Sequence, residues 1–168
     1  MAGIVGYIGE HIVNEEPSLL ASMSQAIQYV DSDLVDQWQD GFLAISRVHH
    51  GIVNSEEQPL FNEDKSLLIL MDGKVYDYEA DKKLLGSKGH HFNYKQNDAE
   101  FCLHLYEELG IGAFKNLNGS FLIAIYNLSS KEMLLVNDRF SSRPLFYYAG
   151  DGHLYFGSQL KAILQSAR

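Results

Sequence analysis

Two pairs of adjacent histidines, a lone cysteine, an arginine inside an apolar run and an aspartate ahead of a helical stretch are the side chains here best suited to chemistry. Imidazole is a frequent metal ligand, so His49-His50 and His90-His91 raise a metal site first. Adjacent residues on a strand point to opposite faces, however, and neither pair has a carboxylate or cysteine partner at ligand spacing. The expectation is therefore surface or loop histidines and no metal. Cys102 lies on the apolar side of "DAEFCLHLYEELG", which reads as a buried structural thiol. Arg47, in "AISRV", carries a planar guanidinium that suits a carboxylate through paired hydrogen bonds, whether the carboxylate belongs to a substrate or to a neighbouring side chain. Asp98 is a natural helix N-cap, a role that needs no substrate. Asp138 and Arg139, near Arg143-Pro144, read as braces of a hairpin.

These residues must be carried by regular elements. Gly3 to Ile8 reads as a buried strand, and Pro17 followed by Leu19, Leu20, Met23, Ile27 and Val30 has helical spacing with proline in the first turn. Phe42 to Val48 alternates as a strand. Leu67 to Met71 is a continuous apolar run stopped by Asp72-Gly73, which predicts a core strand ending in a turn with Gly73 as the turn glycine. Tyr78 to Leu85 is a weaker helix. Asn97 or Asp98 caps the next one, and Gly110 ends it. "SFLIAIYN", "EMLLVND", "LFYYAG" and "HLYFGS" then follow with short turns, as an antiparallel meander would, before a last helix around Gln159 to Gln165. Strands dominated by hairpins and interleaved with a few helices predict α+β packing in one domain over residues 1–168. The final amphipathic segment, "KAILQSAR", has no cap or polar tail, so either the protein ends there or a further domain follows.

Composition narrows the function classes. The chain has 168 residues, 46% hydrophobic and 21% charged, with ten Tyr and nine Phe, the balance of a globular protein. At this length roughly 70% of the unfolded surface can be buried, so no staple is needed. The net charge of −9 repels phosphate backbones and acidic membranes, which argues against nucleic-acid and membrane partners. One cysteine permits no intrachain disulfide, and no leader or long apolar span is present, so a cytoplasmic protein is expected.

Seven stretches taken in order carry more than any one of them alone. "MAGIVGYIG", "EEQPLF", "MDGKVYDY", "NDAEFCLHLYEELG", "LNGSFLIAIYN", "NDRFSSRPLFYY" and "LYFGSQLKAIL" resemble, over nearly the whole length, the class II glutamine amidotransferase domain that opens asparagine synthetase and its relatives. The resemblance implies an N-terminal nucleophile hydrolase, a four-layer αββα sandwich. In such enzymes a cysteine follows the initiator Met and becomes residue one; its thiolate attacks the side-chain amide of glutamine, and its own α-amino group is the general base. The placement makes physical sense, because an α-amine titrates near ~8 and a nucleophile is activated by an adjacent base.

Here that position is Ala2, whose methyl group cannot attack a carbonyl, and no other Ser, Thr or Cys stands in the first ten residues. The family's oxyanion hole comes from an Asn side chain and the backbone N–H of the following Gly, in an Asn-Gly-Glu stretch. The matching residues are Asp72, Gly73 and Lys74. Asp72 puts a carboxylate where negative charge must develop, and losing one oxyanion donor costs about 100- to 1000-fold in rate. Lys74 inverts the charge of a residue that helps hold the substrate's amino group in relatives. The family's Arg-Gly-Pro-Asp stretch is also missing, with "YVDSDLVDQW" in its place. Arg47 matches the arginine that binds the glutamine α-carboxylate, and Asp98 the aspartate that binds its α-ammonium.

Three roles are consistent with these matches and departures. The chain is a glutaminase module for a synthetase domain, inactive only through Ala2. Or it is a degenerate scaffold on a ligase that uses another amine, of the β-lactam synthetase or peptide cyclase type. Or it is a domain that still binds glutamine or a similar amino acid. No cofactor is expected in this domain; ATP and Mg belong to a synthetase domain in cis or in trans. Natural decay accounts for several changes at one site better than a single engineered Cys-to-Ala substitution does.

Overall fold

The apolar run from Ile4 to Tyr7 is buried on both faces, and it forms the central strand β1 (Gly3–Gly9) of a five-stranded sheet. The structure, a computed structural model, describes residues 3–10, 12, 17–150 and 152–166. Met1 and Ala2 lie outside the described residues. Around β1 the order is β2 (Leu34–Gln39), β3 (Leu43–His49), β1, β9 (His153–Gly157) and β8 (Phe146–Gly150), every neighbour antiparallel. A second sheet has the order β4 (Leu60–Phe61), β5 (Leu67–Tyr76), β6 (Asn118–Asn127) and β7 (Met133–Asn137).

The period of two along each strand decides the layering. Ile4, Leu43, Ile45 and Phe156 of the first sheet pack on Leu68, Leu70, Leu122 and Tyr126 of the second. On the outer face of the first sheet, Val5, Tyr7 and Val48 hold α1 (Pro17–Ile27) through Leu20, Met23 and Ile27, and α4 (Leu160–Ile163) through Ala162 and Ile163. On the outer face of the second, Met71, Val75, Phe121 and Ile123 hold α3 (Asp98–Leu109) through Phe101, Cys102 and Leu105, and α2 (Glu79–Ser87) through Leu85. Helix, sheet, sheet, helix is the αββα sandwich expected. Cys102 is fully buried there, and burial pushes its thiol pKa well up, which keeps it protonated and inert. No helix among the described residues is long and apolar enough to cross a membrane.

Four features differ from the sequence reading. β5 does not stop at Asp72-Gly73 but continues to Tyr76, paired with β6 as Asp72↔Leu122, Gly73↔Phe121 and Lys74↔Ser120. Gly73 is thus a strand glycine with φ +114°, where an added Cβ would overlap the Ser120 carbonyl. The last four strands do not form one meander. β6 and β7 belong to the second sheet and β8 and β9 to the first, so the segment holding Asp138 and Arg143 is a crossing between sheets, not a hairpin. Asp138 braces that crossing, accepting from the backbone N–H groups of Phe121, Phe140 and Ser142 and from the Ser142 hydroxyl. Helix α1 ends at Ile27, short of Val30, because Asp33 Oδ2 takes the N–H groups of Tyr29 (2.9 Å) and Val30 (3.3 Å) in a turn of its own. The last helix is likewise shortened to Leu160–Ile163.

Candidate functional site

Arg47 on β3 stands opposite Asp36 on β2 in the strand register. Their side chains meet across the pair: Arg47 Nε donates to Asp36 Oδ2 at 2.8 Å, and an η-nitrogen lies 2.6 Å from the same oxygen. The other donors are used as well. One η-nitrogen donates to the Asn54 carbonyl (2.8 Å) and the other to the Glu56 carbonyl (2.9 Å), leaving Arg47 only 1% exposed. Burial pulls the guanidinium pKa down and the Asp36 charge pulls it back up, the burial effect being the larger. Asp36 Oδ2 also accepts from the Gln58 N–H at 3.2 Å and lies 3.4 Å from His49 Nε2. Because His49 Nδ1 accepts from the Gly51 N–H, the proton of the neutral ring sits on Nε2 and faces Asp36. Burial, then the Arg47 charge, hold the His49 pKa below its ordinary value, so the ring is neutral at pH 7.

Asn54 ties this cluster to the rest of the site. It occupies the left-handed region (φ +47°), which asparagine tolerates. From there its side chain donates to the Gly73 carbonyl (3.0 Å) and accepts from the Asp98 N–H (2.8 Å). Asn97, not Asp98, caps α3, its side chain accepting from Glu100 N–H at 2.9 Å. The Asp98 carboxylate is free of that duty, yet it is not open to a ligand. One oxygen accepts from the Val75 N–H (3.0 Å) and the other from the Tyr78 hydroxyl (2.7 Å), and the residue is 5% exposed. Burial and the Asp98 carboxylate push the Tyr78 hydroxyl pKa up, so it stays a donor.

Asp72, Gly73 and Lys74 line a cavity of about 380 Å³ together with His49, His50, Ile52 and Arg143. Arg143 reaches from the crossing between the sheets to donate to Asp72 Oδ2 at 3.0 Å. The same two residues also border a second cavity of about 320 Å³ beside Tyr29, Ser158 and Gln159. Lys74 is exposed and makes no hydrogen bond or ion pair among the described residues. An ionised Asp72 is an acceptor only, so its carboxylate offers no donor to a developing oxyanion.

The Asp72 environment has a pH consequence. Burial raises its carboxyl pKa above the ordinary 3.8, and the Arg143 charge offsets this only in part. A group with a raised folded pKa helps the fold below its unfolded pKa and loses that contribution as pH rises through the folded one. Asp72→Asn removes the loss. The variant is expected to melt higher than the parent at pH 8, with the gain shrinking toward pH 4; circular-dichroism melts at the two pH values measure it, and a variant that melts lower at pH 8 contradicts the assignment.

The structure therefore brings Arg47, Asp72, Gly73, Lys74 and Asp98 into one neighbourhood linked by Asn54. Sequence reading missed Asp36, Asn54, Gln58 and Arg143 as members. Gln58, whose Oε1 accepts from the Met71 N–H at 2.7 Å, lies within the "EEQPLF" stretch already picked out. The signal for Asp36 was only its position eleven residues before Arg47, and β2 was not foreseen.

Comparison with known proteins agrees with the fold. The sequence profile of the glutamine amidotransferase domain matches residues 1–168. The chain belongs to the glutamine amidotransferase domain family. It is 32% identical over 165 residues to asparagine synthetase [glutamine-hydrolyzing] 2 of Bacillus subtilis (strain 168), covering 97% of the chain and 22% of that protein. To asparagine synthetase [glutamine-hydrolyzing] 2 of Oryza sativa subsp. japonica it is 31% identical over 167 residues, 97% of the chain and 28% of that protein. This amidotransferase domain thus spans about a quarter of the length of those relatives. Its fold is shared by glutamine phosphoribosylpyrophosphate amidotransferase from B. subtilis, with a TM-score of 0.74 at 18% identity over 98% of the chain and 43% of that chain.

Proposed function

We propose that this glutamine amidotransferase domain no longer hydrolyses glutamine and serves as a non-catalytic module beside an amide-forming, ATP-dependent synthetase segment, in cis or in trans. One observation carries the reading: the Arg47 guanidinium, at the position that grips the glutamine α-carboxylate in the family, is spent on Asp36 and two backbone carbonyls and is closed to solvent. Asp98, at the position for the α-ammonium, has both oxygens engaged by Val75 and Tyr78. Ala2 stands at the nucleophile position and Asp72 at the oxyanion donor. The relatives supply the other half of the proposal, since they are named as synthetases and are several times longer than this chain.

Titration of glutamine into the domain by calorimetry tests the reading. No saturable heat is expected at millimolar glutamine, because an incoming carboxylate would have to displace Asp36 from a buried ion pair. Saturable binding that disappears in Arg47→Met would replace this reading with that of an amino-acid-binding domain.

A further inference from the structure

We infer that His90, His104, Glu63 and Glu107 form a binding site for a divalent transition-metal ion of the zinc class, built on the outer end of α3 and independent of the proposed role beside a synthetase. Ligand atoms of Glu63, His90 and His104 lie within 4.8 Å of one another. Glu107 joins them one helical turn after His104, with Oε2 2.7 Å from His104 Nδ1 and 3.6 Å from His90 Nδ1.

The hydrogen-bonding pattern leaves a place for a cation here. His104 Nδ1 lies 2.7 Å from Glu107 Oε2 and its Nε2 3.2 Å from the His91 carbonyl, two atoms that can only accept, so the single hydrogen of a neutral ring serves just one of them. With that hydrogen on Nε2, the Nδ1 lone pair faces the Glu107 carboxylate and lies 3.2 Å from His90 Nδ1. A metal ion bound there takes the lone pairs of the two rings and the carboxylates together.

The spacing fits. Nitrogen and oxygen ligands at about 2.0–2.2 Å from a tetrahedral ion stand about 3.3–3.6 Å apart. The His90–His104 and His90–Glu107 separations, 3.2 and 3.6 Å, are already near that range, the 2.7 Å His104–Glu107 contact must open, and Glu63 completes the set from within 4.8 Å of the two rings. The surroundings also fit. The carbonyl on His104 Nε2 fixes the ring, and Asn62 Nδ2 donates to Glu107 Oε1 (2.9 Å), turning Oε2 toward the histidines. His104 is buried and Glu63 exposed, which gives an ion an open side for entry. Two imidazoles and two carboxylates suit zinc over magnesium or calcium. Such an ion would clamp three separate segments: the β4–β5 turn at Glu63, the loop after α2 at His90, and α3.

The test is calorimetric titration of Zn2+ into the chelator-stripped chain, with a Co2+ visible spectrum as a second readout. One ion per chain is expected, with the visible bands of tetrahedral Co2+, a raised melting temperature, and affinity about 100-fold weaker in His90→Ala, whose side chain is partly exposed. Glu107→Gln should weaken binding as well. Absence of Zn2+ binding, or binding unchanged in both variants, would overturn the site. Neither result bears on glutamine hydrolysis.

Discussion

Replacing Asp36 with alanine is expected to destabilise the domain by about 3–5 kcal/mol, the usual consequence of leaving one member of a buried ion pair without the other. Arg47 has no route to solvent at 1% exposure, and the remaining carbonyl acceptors cannot neutralise its charge. Asp36 is also the acceptor for the Gln58 N–H and the partner of the His49 ring, so its loss strips three donors at once. The double variant Asp36→Ala with Arg47→Met should recover part of the loss, because it removes the stranded charge along with its partner. Urea unfolding of the two single variants, the double variant and the parent measures this coupling. A loss below about 1 kcal/mol for Asp36→Ala is what an exposed pair would give, and it would show that Arg47 is available to a ligand after all.

Gly73→Ala is expected to be the second large loss. A side chain at φ +114° is strained by about 1–3 kcal/mol, and the Cβ would also meet the Ser120 carbonyl across the β5–β6 ladder, an overlap of the kind that costs about 1–3 kcal/mol. The sum, about 2–6 kcal/mol, is large beside the total stability of about 5–15 kcal/mol typical of a domain. Equilibrium unfolding checks it. By contrast Gly86, which sits in α2 with open space around its Cβ position, should accept alanine with no loss or a small gain. If the two substitutions behave alike, the ladder at Gly73 is not as tight as described.

Much of the sandwich was legible in the sequence because its apolar periods are strong. Gly3 to Ile8, Phe42 to Val48 and the Asn97-capped helix lie where their patterns put them, and the order of seven short stretches led to the αββα expectation. β2 was illegible for a physical reason: Leu34 and Val35 are 52% and 37% exposed, so this edge strand has no apolar alternation to read. Asp72-Gly73 read as a turn because the pair favours one locally, and ten ladder positions shared with β6 override that preference. The four final strands looked sequential because their spacing is even; nothing in the spacing tells that the chain changes sheets after β7.

The site was half legible. Arg47, Asp72, Gly73, Lys74 and Asp98 were picked out by type and by resemblance, and they do converge. Their partners were not, since Asp36, Asn54 and Arg143 act through contacts set by tertiary register. Those partners change the meaning of the residues that were found: Arg47 and Asp98 are already engaged within the protein, while Lys74 stands exposed. The metal cluster escaped for a related reason. His90 pairs with His104 fourteen residues away and not with its neighbour His91, whose contribution is a backbone carbonyl.

Glutamate release from glutamine by the Ala2→Cys variant, with removal of Met1 verified by intact mass, is the most direct measurement of the central claim. If the Arg47 and Asp98 side chains are committed internally, restoring the nucleophile changes nothing, and the folded variant releases no more glutamate than the parent chain. Hydrolysis well above the parent would contradict the account: the pocket would be competent despite Asp72, Lys74 and the Arg47–Asp36 pair, and Ala2 would be its only lesion.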